Sequence, residues 1–181
     1  RLPADLVGDY IINEPVARII RRAKVINREG KTYLENAYDH KEFIASTDTY
    51  FRPVNTYTGP DGFLYIVDMN RGIIQESNWT QKGSYLRDKI DYYGLAKVNQ
   101  RGRIWRLVHD GYKAGPKPKM LDVPAANLLG YLDHANGWWR DNAQKQIIVL
   151  GDKSVVPELK LMASGKKNVL ALGRLHALWT L

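Results

Sequence analysis

A pattern that occurs twice in the N-terminal part of the chain constrains the fold more than any other feature. Each copy has a glycine turn, a strand with an aromatic residue, an acidic residue and a pair of isoleucines. The two copies, related by one constant spacing, are Gly8, Ile12, Glu14 and Ile19-Ile20, and Gly62, Ile66, Asp68 and Ile73-Ile74. Repeats of roughly 50 residues built from short strands are typical of β-propeller blades, each a four-stranded sheet. We therefore predict propeller blades; chance similarity of two hairpins is the alternative.

The pattern of apolar residues changes near residue 110. Before it, short apolar runs such as FLYIVDM and RIWRLVH lie between Gly, Asn, Asp and Pro, as in β structure. The following stretch, DGYKAGPKPKM, is rich in Gly, Pro and Lys, which disfavour regular structure. Beyond it, WWRDNAQKQIIVLGD places Trp139, Ala143, Ile147 and Leu150 at helical spacing before Gly151, a C-cap residue. We predict a β domain over 1–110, a linker over 111–122 and a helical domain over 123–181.

The helical part also contains a recurring pattern. Its two copies are Arg140, Ala143 and Ile147, and, at one constant spacing, Arg174, Ala177 and Leu181. Paired amphipathic helices that repeat every roughly 30 to 50 residues are typical of α-solenoids. About two blades cannot close a ring, because propellers have at least roughly four. The predicted fold class is thus β plus α: the C-terminal blades of a β-propeller, with a helical insertion near 83–95, followed by an α-solenoid of HEAT-like helix pairs. We expect this chain to be a fragment truncated at both ends.

Composition excludes several kinds of function. The chain has no cysteine, so disulfides, thiolate zinc sites and a C-x-x-C-H haem site are excluded within it. No apolar run is long enough to suggest a membrane span. The 27 Lys and Arg against 19 Asp and Glu give a net charge of +8. These basic residues are dispersed and not interleaved with aromatic residues, so we predict no nucleic-acid partner. Common nucleotide-binding and hydrolase motifs do not occur.

Three strings resemble one protein family: LPADLVGDYIINEP, EFIASTDTYFRPVNTYTGPDGFLYIVDMNRGIIQ and RGRIWRL. They resemble the membrane-bound or exported dehydrogenase-like propellers of Planctomycetes, Verrucomicrobia and related bacteria, distant relatives of quinoprotein glucose and sorbosone dehydrogenases. NGWWRDNAQKQIIVLGD is similar to the HEAT repeats that follow such propellers. The resemblance implies a periplasmic or otherwise exported parent that oxidises a small sugar or polyol. It also implies pyrroloquinoline quinone (PQQ) and calcium as cofactors, and a cytochrome c domain or protein as electron acceptor.

The resemblance directs attention to the loops around residues 46–71, because propeller sites usually lie on loops at the central channel. Arg52, Arg71, Asn55 and Asp68 are the predicted cofactor-binding residues, since arginine forks suit the carboxylates of PQQ. Asp48 and Asp68 are the predicted calcium ligands. The family's catalytic base is a histidine of an earlier blade, so we expect it outside this chain, and we do not expect the fragment alone to be active.

Structural roles remain open for the same residues. Asp68 and Arg71 can equally form a structural pair that pins adjacent blades, and Arg52, which precedes Pro53, can complete hydrogen bonds at a strand edge. GPDG, residues 59–62, is predicted to be a tight turn without chemistry. Whether the parent is an enzyme is open as well. The alternative function is a non-catalytic propeller and HEAT scaffold that binds a glycan or a protein partner.

Overall fold

A computed structural model describes residues 2–113 and 115–181. The chain forms two compact units. One, here called the β unit, comprises Leu2–Tyr57 and Phe63–Gly111; the other, the helical unit, comprises Thr58–Gly62 and Tyr112–Leu181. The short segment Thr58–Gly62 therefore belongs to the helical unit although β strands flank it in the sequence.

The first sheet of the β unit has four antiparallel strands. Its strands β1 (Tyr10–Glu14), β2 (Ile19–Arg28) and β3 (Lys31–Asn36) lie in that order, and the short β4 (Ile44–Ala45) pairs with β2. Glu14 lies opposite Ile19, so β1 and β2 form a hairpin. Ile20 of β2 is fully buried and packs with Phe51 and Ile66 in the small core of this unit.

The second sheet has three strands, β5 (Pro53–Thr58), β6 (Leu64–Asp68) and β7 (Arg103–Leu107), in that order. The predicted GPDG turn between β5 and β6 is confirmed: the amide of Gly62, at φ 81°, donates to the Gly59 carbonyl at 3.0 Å. Strands β6 and β7 are antiparallel, with Asp68 opposite Arg103. A 3₁₀ helix (Asn78–Thr80), helix α1 (Tyr85–Tyr92) and a second 3₁₀ helix (Leu95–Lys97) lie between β6 and β7 in the sequence.

The prediction of propeller blades over 1–110 is wrong. The described residues form two small open sheets of four and three strands, not two equivalent four-stranded blades. The recurring pattern holds through the glycine turn, the strand and the acidic residue, and then ends. Ile19-Ile20 begin β2 and pair back onto β1, whereas Ile73-Ile74 lie in irregular structure. The repeat thus reflects two similar segments, each a glycine turn followed by a strand, and not a repeated fold.

After β6, where the second copy of the pattern departs from the first, the main chain makes a close contact at Gly72. At Gly72 a Cβ atom would overlap the carbonyl oxygen of Leu95, so only glycine fits there without a shift of the backbone. The chain after β6 therefore packs against the segment that follows α1. It does not turn back as a hairpin, as β2 does after β1.

The helical unit contains α2 (Ala125–Leu128), a 3₁₀ helix (Leu129–Asp133), α3 (Gly137–Leu150), a 3₁₀ helix (Lys153–Val155), α4 (Val156–Ala163) and α5 (Ala171–Thr180). The predicted helix before Gly151 is confirmed as α3, and Gly151 is its C-cap at φ 62°. Asn136 caps the other end, its side chain accepting from the Trp138 amide at 2.9 Å. Among the described residues, no helix is long and apolar enough to cross a membrane.

Two side chains of this unit bind the Gly59–Gly62 turn. The Asn136 amide donates to the Gly59 carbonyl at 2.9 Å, and the Trp139 indole donates to the Pro60 carbonyl at 2.9 Å. These bonds explain why the turn belongs to the helical unit.

The prediction of an α-solenoid over 123–181 is also wrong. The helices surround one shared core, to which α2, α3, α4 and α5 all contribute buried residues. Ala143 and Ala177 are both fully buried, which accounts for their matching positions in the pattern. The third pair does not correspond, because Ile147 is 4% exposed in α3 and Leu181, after the end of α5, is 51% exposed.

Candidate functional site

A buried carboxylate organises the second sheet. Asp68 ends β6 and is 1% exposed. Its Oδ1 accepts from the backbone amides of Arg52 and Asn70, both at 2.8 Å. Its Oδ2 accepts from the Trp105 indole at 2.9 Å and from Nε of Arg103 at 3.3 Å. One side chain thereby joins the start of β5, the loop after β6 and strand β7.

These contacts determine the charge state of Asp68. Burial by itself raises the pKa of a carboxyl group, but hydrogen bonds from the Trp105 indole and from the amides of Arg52 and Asn70, together with the charge of Arg103, outweigh it. The pKa of Asp68 therefore lies below its ordinary value. The carboxylate is ionised at neutral pH, and its lone pairs are engaged by structural donors.

A guanidinium lies between the two predicted calcium ligands. Nη2 of Arg103 is 3.4 Å from Oδ2 of Asp48 and 3.2 Å from Oδ2 of Asp68, and it donates to the Asn70 side chain at 2.7 Å. The positive charge between the carboxylates is thus supplied by the protein itself, which does not fit a calcium ion bound there. Asn55 is exposed and donates to the Tyr57 hydroxyl at 2.8 Å. Within the described part of the chain, no group of three or more acidic or histidine side chains is placed to hold a metal.

Arg52 has a buried guanidinium that binds main-chain carbonyls. It is 8% exposed. Its Nε donates to the Arg71 carbonyl at 3.0 Å, and its Nη2 donates to that of Gly72 at 2.8 Å. Its Nη1 donates to the carbonyls of Pro15 and Val16 at 2.9 and 3.0 Å. Burial lowers the pKa of Arg52, and the nearby Arg18 charge lowers it further, whereas Asp68 acts in the opposite direction.

The structure does not bring the predicted cofactor residues into one binding surface. Arg52 and Asp68 are buried supports, whereas Arg71 and Asn55 are exposed. Most Arg52 donors are taken by neutral carbonyls, so these four residues do not fit a quinone with three carboxylates. The structural pair considered for Asp68 and Arg71 is also replaced, since the arginine paired with Asp68 is its cross-strand neighbour Arg103.

Sequence reasoning missed Arg103 and Trp105. A signal was available in RGRIWRL, because residues two apart in a strand point to the same face. On that face, Arg103 lies opposite Asp68 and Trp105 lies opposite Ile66. The guanidinium of Arg103 lies 4.8 Å from the Trp105 ring centroid, within the range of a cation–π contact.

Trp105 lines a cavity of about 410 Å³ within the β unit, here called the Trp105 groove. Its walls combine apolar and charged side chains, among them Ile44, Asp48, Phe51, Ile66, Arg103 and Trp105. Trp105 is 45% exposed, although its N–H is held by buried Asp68. The groove therefore presents a half-exposed aromatic ring in a fixed orientation beside a carboxylate and a guanidinium.

The fold and this site define a mixed α/β protein with two small antiparallel sheets, of which the second contains a buried aspartate, and with a separate helical unit. Residues 1–111 match the model of a family described as Domain of unknown function (DUF7133). Because the match spans more than half of the chain, the protein belongs to this family. No curated protein and no solved structure matches the sequence.

Proposed function

We propose that the DUF7133 region binds a saccharide in the Trp105 groove without chemically changing it. The observation that carries this proposal is the state of Trp105, which is half exposed on the groove wall while its indole N–H is fixed by a buried carboxylate. A ring held in this way loses little rotational freedom when a ligand packs against it. This is a form of preorganisation, which favours binding.

The groove offers the two kinds of contact that a sugar requires. The C–H face of a pyranose is apolar and packs on an indole, which combines a large apolar surface with a polar edge. The hydroxyl groups need acceptors and donors, which Asp48 and Arg103 supply from the same groove. The volume of about 410 Å³ lies within the roughly 300 to 1,000 Å³ of small-molecule sites.

Two acidic residues, Asp48 on the groove wall and Asp68 behind Trp105, support binding without catalysis. A general base needs an available lone pair and a pKa near the working pH. The oxygens of Asp68 accept hydrogen bonds from Arg52, Asn70, Trp105 and Arg103, and its pKa is lowered. Asp48 accepts from the Tyr50 amide and lies beside Arg103. These groups suit recognition better than proton transfer.

The oxidation of a sugar or polyol, with a quinone, a cytochrome acceptor and an exported location, stays a prediction from the resemblance. Its proposed cofactor residues are engaged in structural hydrogen bonds or lie apart on the surface. Both functions nevertheless require the recognition of a sugar, and the ligand class is therefore the part to test first.

Calorimetric titration tests the proposal. A glycan array first screens for binding. Maltohexaose, cellohexaose, mannohexaose and their monosaccharides are then the probes for titration. We expect one class to bind, and Trp105→Ala to weaken its binding about tenfold or more. Trp105→Phe keeps a ring but loses the bond to Asp68, so an intermediate loss is expected.

Trp79→Ala is the matched control, because Trp79 is 60% exposed and does not line the Trp105 groove. It should leave binding unchanged. If the folded protein binds no saccharide of the array, or if both alanine variants weaken binding equally, the proposal is wrong.

A further inference from the structure

The β unit contains a second cavity, here called the Arg52 cavity, with a volume of about 400 Å³. Among the residues that line it are Arg52, Gly72, Ile73, Ile74, Leu86 and Ile90. It shares no lining residue with the Trp105 groove. The wall is thus mainly apolar, and its one charged residue among those described is Arg52.

The charge of this arginine is not neutralised by an anion. A buried cation is costly unless it is paired with an opposite charge. All four acceptors of the Arg52 guanidinium are neutral main-chain carbonyls. The nearby carboxylate of Asp68 is occupied by other donors, including Arg103. Among the described residues, none forms an ion pair with Arg52.

One N–H of Arg52 is left over. A guanidinium has five N–H donors, and four are used in the bonds to carbonyls. The remaining donor is on Nη2, the same nitrogen that binds the carbonyl of Gly72, and both residues line the cavity.

Arg18 adds a second positive charge. It is close enough to Arg52 to lower the pKa of that residue, and its own Nε is buried without a partner among the described residues. Arg52 on the wall and Arg18 near it thus place a positive potential at a cavity whose walls are mostly apolar. A small ligand that complements both features has an apolar body and one anionic end.

We infer that the Arg52 cavity binds an amphipathic carboxylate such as a medium-chain fatty acid. The carboxylate accepts the free N–H on Nη2 of Arg52 within the field of Arg18. The hydrocarbon chain packs on Ile73, Ile74, Leu86 and Ile90. This site is additional to the proposed saccharide site, and each can be tested without the other.

Titration calorimetry with decanoate and decan-1-ol, both below their aggregation limits, tests the inference. The two probes share an alkyl chain and differ in charge. We expect decanoate to bind at least about tenfold more tightly than decan-1-ol, because hydrogen bonds between charged groups are the stronger ones. The melting temperature should rise with decanoate, since a ligand that binds the folded state stabilises it.

Variants that spare the Arg52 hydrogen bonds locate the site. Arg18→Gln should weaken decanoate binding about tenfold while leaving decan-1-ol unaffected. Leu86→Glu places a negative charge on a residue that is 45% exposed and lines the cavity, and it should weaken decanoate more than decan-1-ol. Arg28→Gln is the matched control, because it removes an equal charge from a side chain that is 67% exposed.

The inference is overturned if decanoate binds the folded protein no more tightly than decan-1-ol, or if decanoate does not bind at millimolar concentration. It is also overturned if Arg28→Gln weakens decanoate binding as much as Arg18→Gln, since the effect would then come from the net charge alone.

Discussion

The carboxylate of Asp68 connects several parts of the second sheet. It accepts from the amides of Arg52 and Asn70 and from the side chains of Trp105 and Arg103. Asp68→Asn keeps the shape of the side chain but removes the charge and replaces one acceptor with a donor. We expect the free energy of unfolding to fall by about 2 to 4 kcal/mol, because a buried ion pair and its hydrogen bonds are broken. Urea denaturation measures this.

The comparison variant is Asp39→Asn, because the Asp39 side chain is 94% exposed. Its effect should stay within about 0.5 kcal/mol, as for most surface substitutions. Equal losses in the two variants would show that Asp68 has no special structural role.

The pH dependence of stability follows from the lowered pKa of Asp68. In the unfolded chain this group titrates near about pH 4, and in the folded protein it titrates at a lower pH. The unfolded state therefore binds more protons in the acid range, so stability rises with pH there. The contribution of Asp68 is fully present above the unfolded pKa and is lost as the pH falls through the folded pKa. Urea midpoints measured from neutral to acid pH should fall less steeply for Asp68→Asn than for the parent protein.

At this scale the sequence indicated the importance of Asp68 but not its partners. Its position at the end of the apolar run in FLYIVDM is visible in the sequence, whereas its pairing with strand β7 is not. Arg103 and Trp105 come from a strand separated from β6 by the α1 segment. Without knowledge of that strand pairing, the sequence does not distinguish a carboxylate that binds a ligand from one that forms structural hydrogen bonds.

Among the elements, helix α3 was the most predictable. Its spacing and caps are local, and the structure confirms Trp139, Ala143 and Ile147 as buried, at 4%, 0% and 4% exposure. Leu150 is 49% exposed, because the last turn of the helix extends beyond the core. The glycine turns of the recurring pattern were equally local, with Gly8 and Gly62 at φ 89° and 81°. After the strand of each copy, the path of the chain depends on tertiary contacts, which a local sequence pattern does not show.

Gly72 provides a test at the level of elements. Gly72→Ala would place a Cβ against the carbonyl group of Leu95, which is main chain and cannot move independently. We expect a loss of about 2 kcal/mol or more in the free energy of unfolding, because overpacked sites must shift their backbone. Chemical denaturation gives the value.

Gly102→Ala is the control, because its added Cβ would come no closer than 3.8 Å to the Asp68 carbonyl oxygen, an ordinary contact. If Gly72→Ala costs no more than this control, the contact with Leu95 does not hold the segment in place.

For the molecule as a whole, the connection after residue 111 is a site where we expect early cleavage by a protease. Residues 115–119 are exposed and lack regular structure, and Lys113 is exposed. We expect trypsin to cut first after Lys113. Lys117 is followed by a proline, before which trypsin cleaves poorly, and Lys119 is followed by Met120, which is buried. Mass spectrometry of early digests identifies the cut. Lys113→Gln should slow this first cleavage, and a first cut inside β2 or α3 would contradict the expectation.

The division of the molecule was only partly visible in the sequence. The change from strand-like to helical patterns lies near the end of the β unit at Gly111. Nothing in the pattern indicates that Thr58–Gly62 belongs to the helical unit, because this segment is bound through main-chain carbonyls. Every residue has a main-chain carbonyl group, so the sequence does not show which of them accept a hydrogen bond.

The bonds from Asn136 and Trp139 to the Gly59–Gly62 turn bear on how such proteins can be recombined. The family region 1–111 includes the turn but not the two side chains that bind it. A relative that has this region alone must leave two carbonyl groups to water or find substitute donors. A gene fusion joined at residue 111 would therefore remove the side-chain donors of these two carbonyl groups, unless the incoming domain offered an amide and an indole of its own.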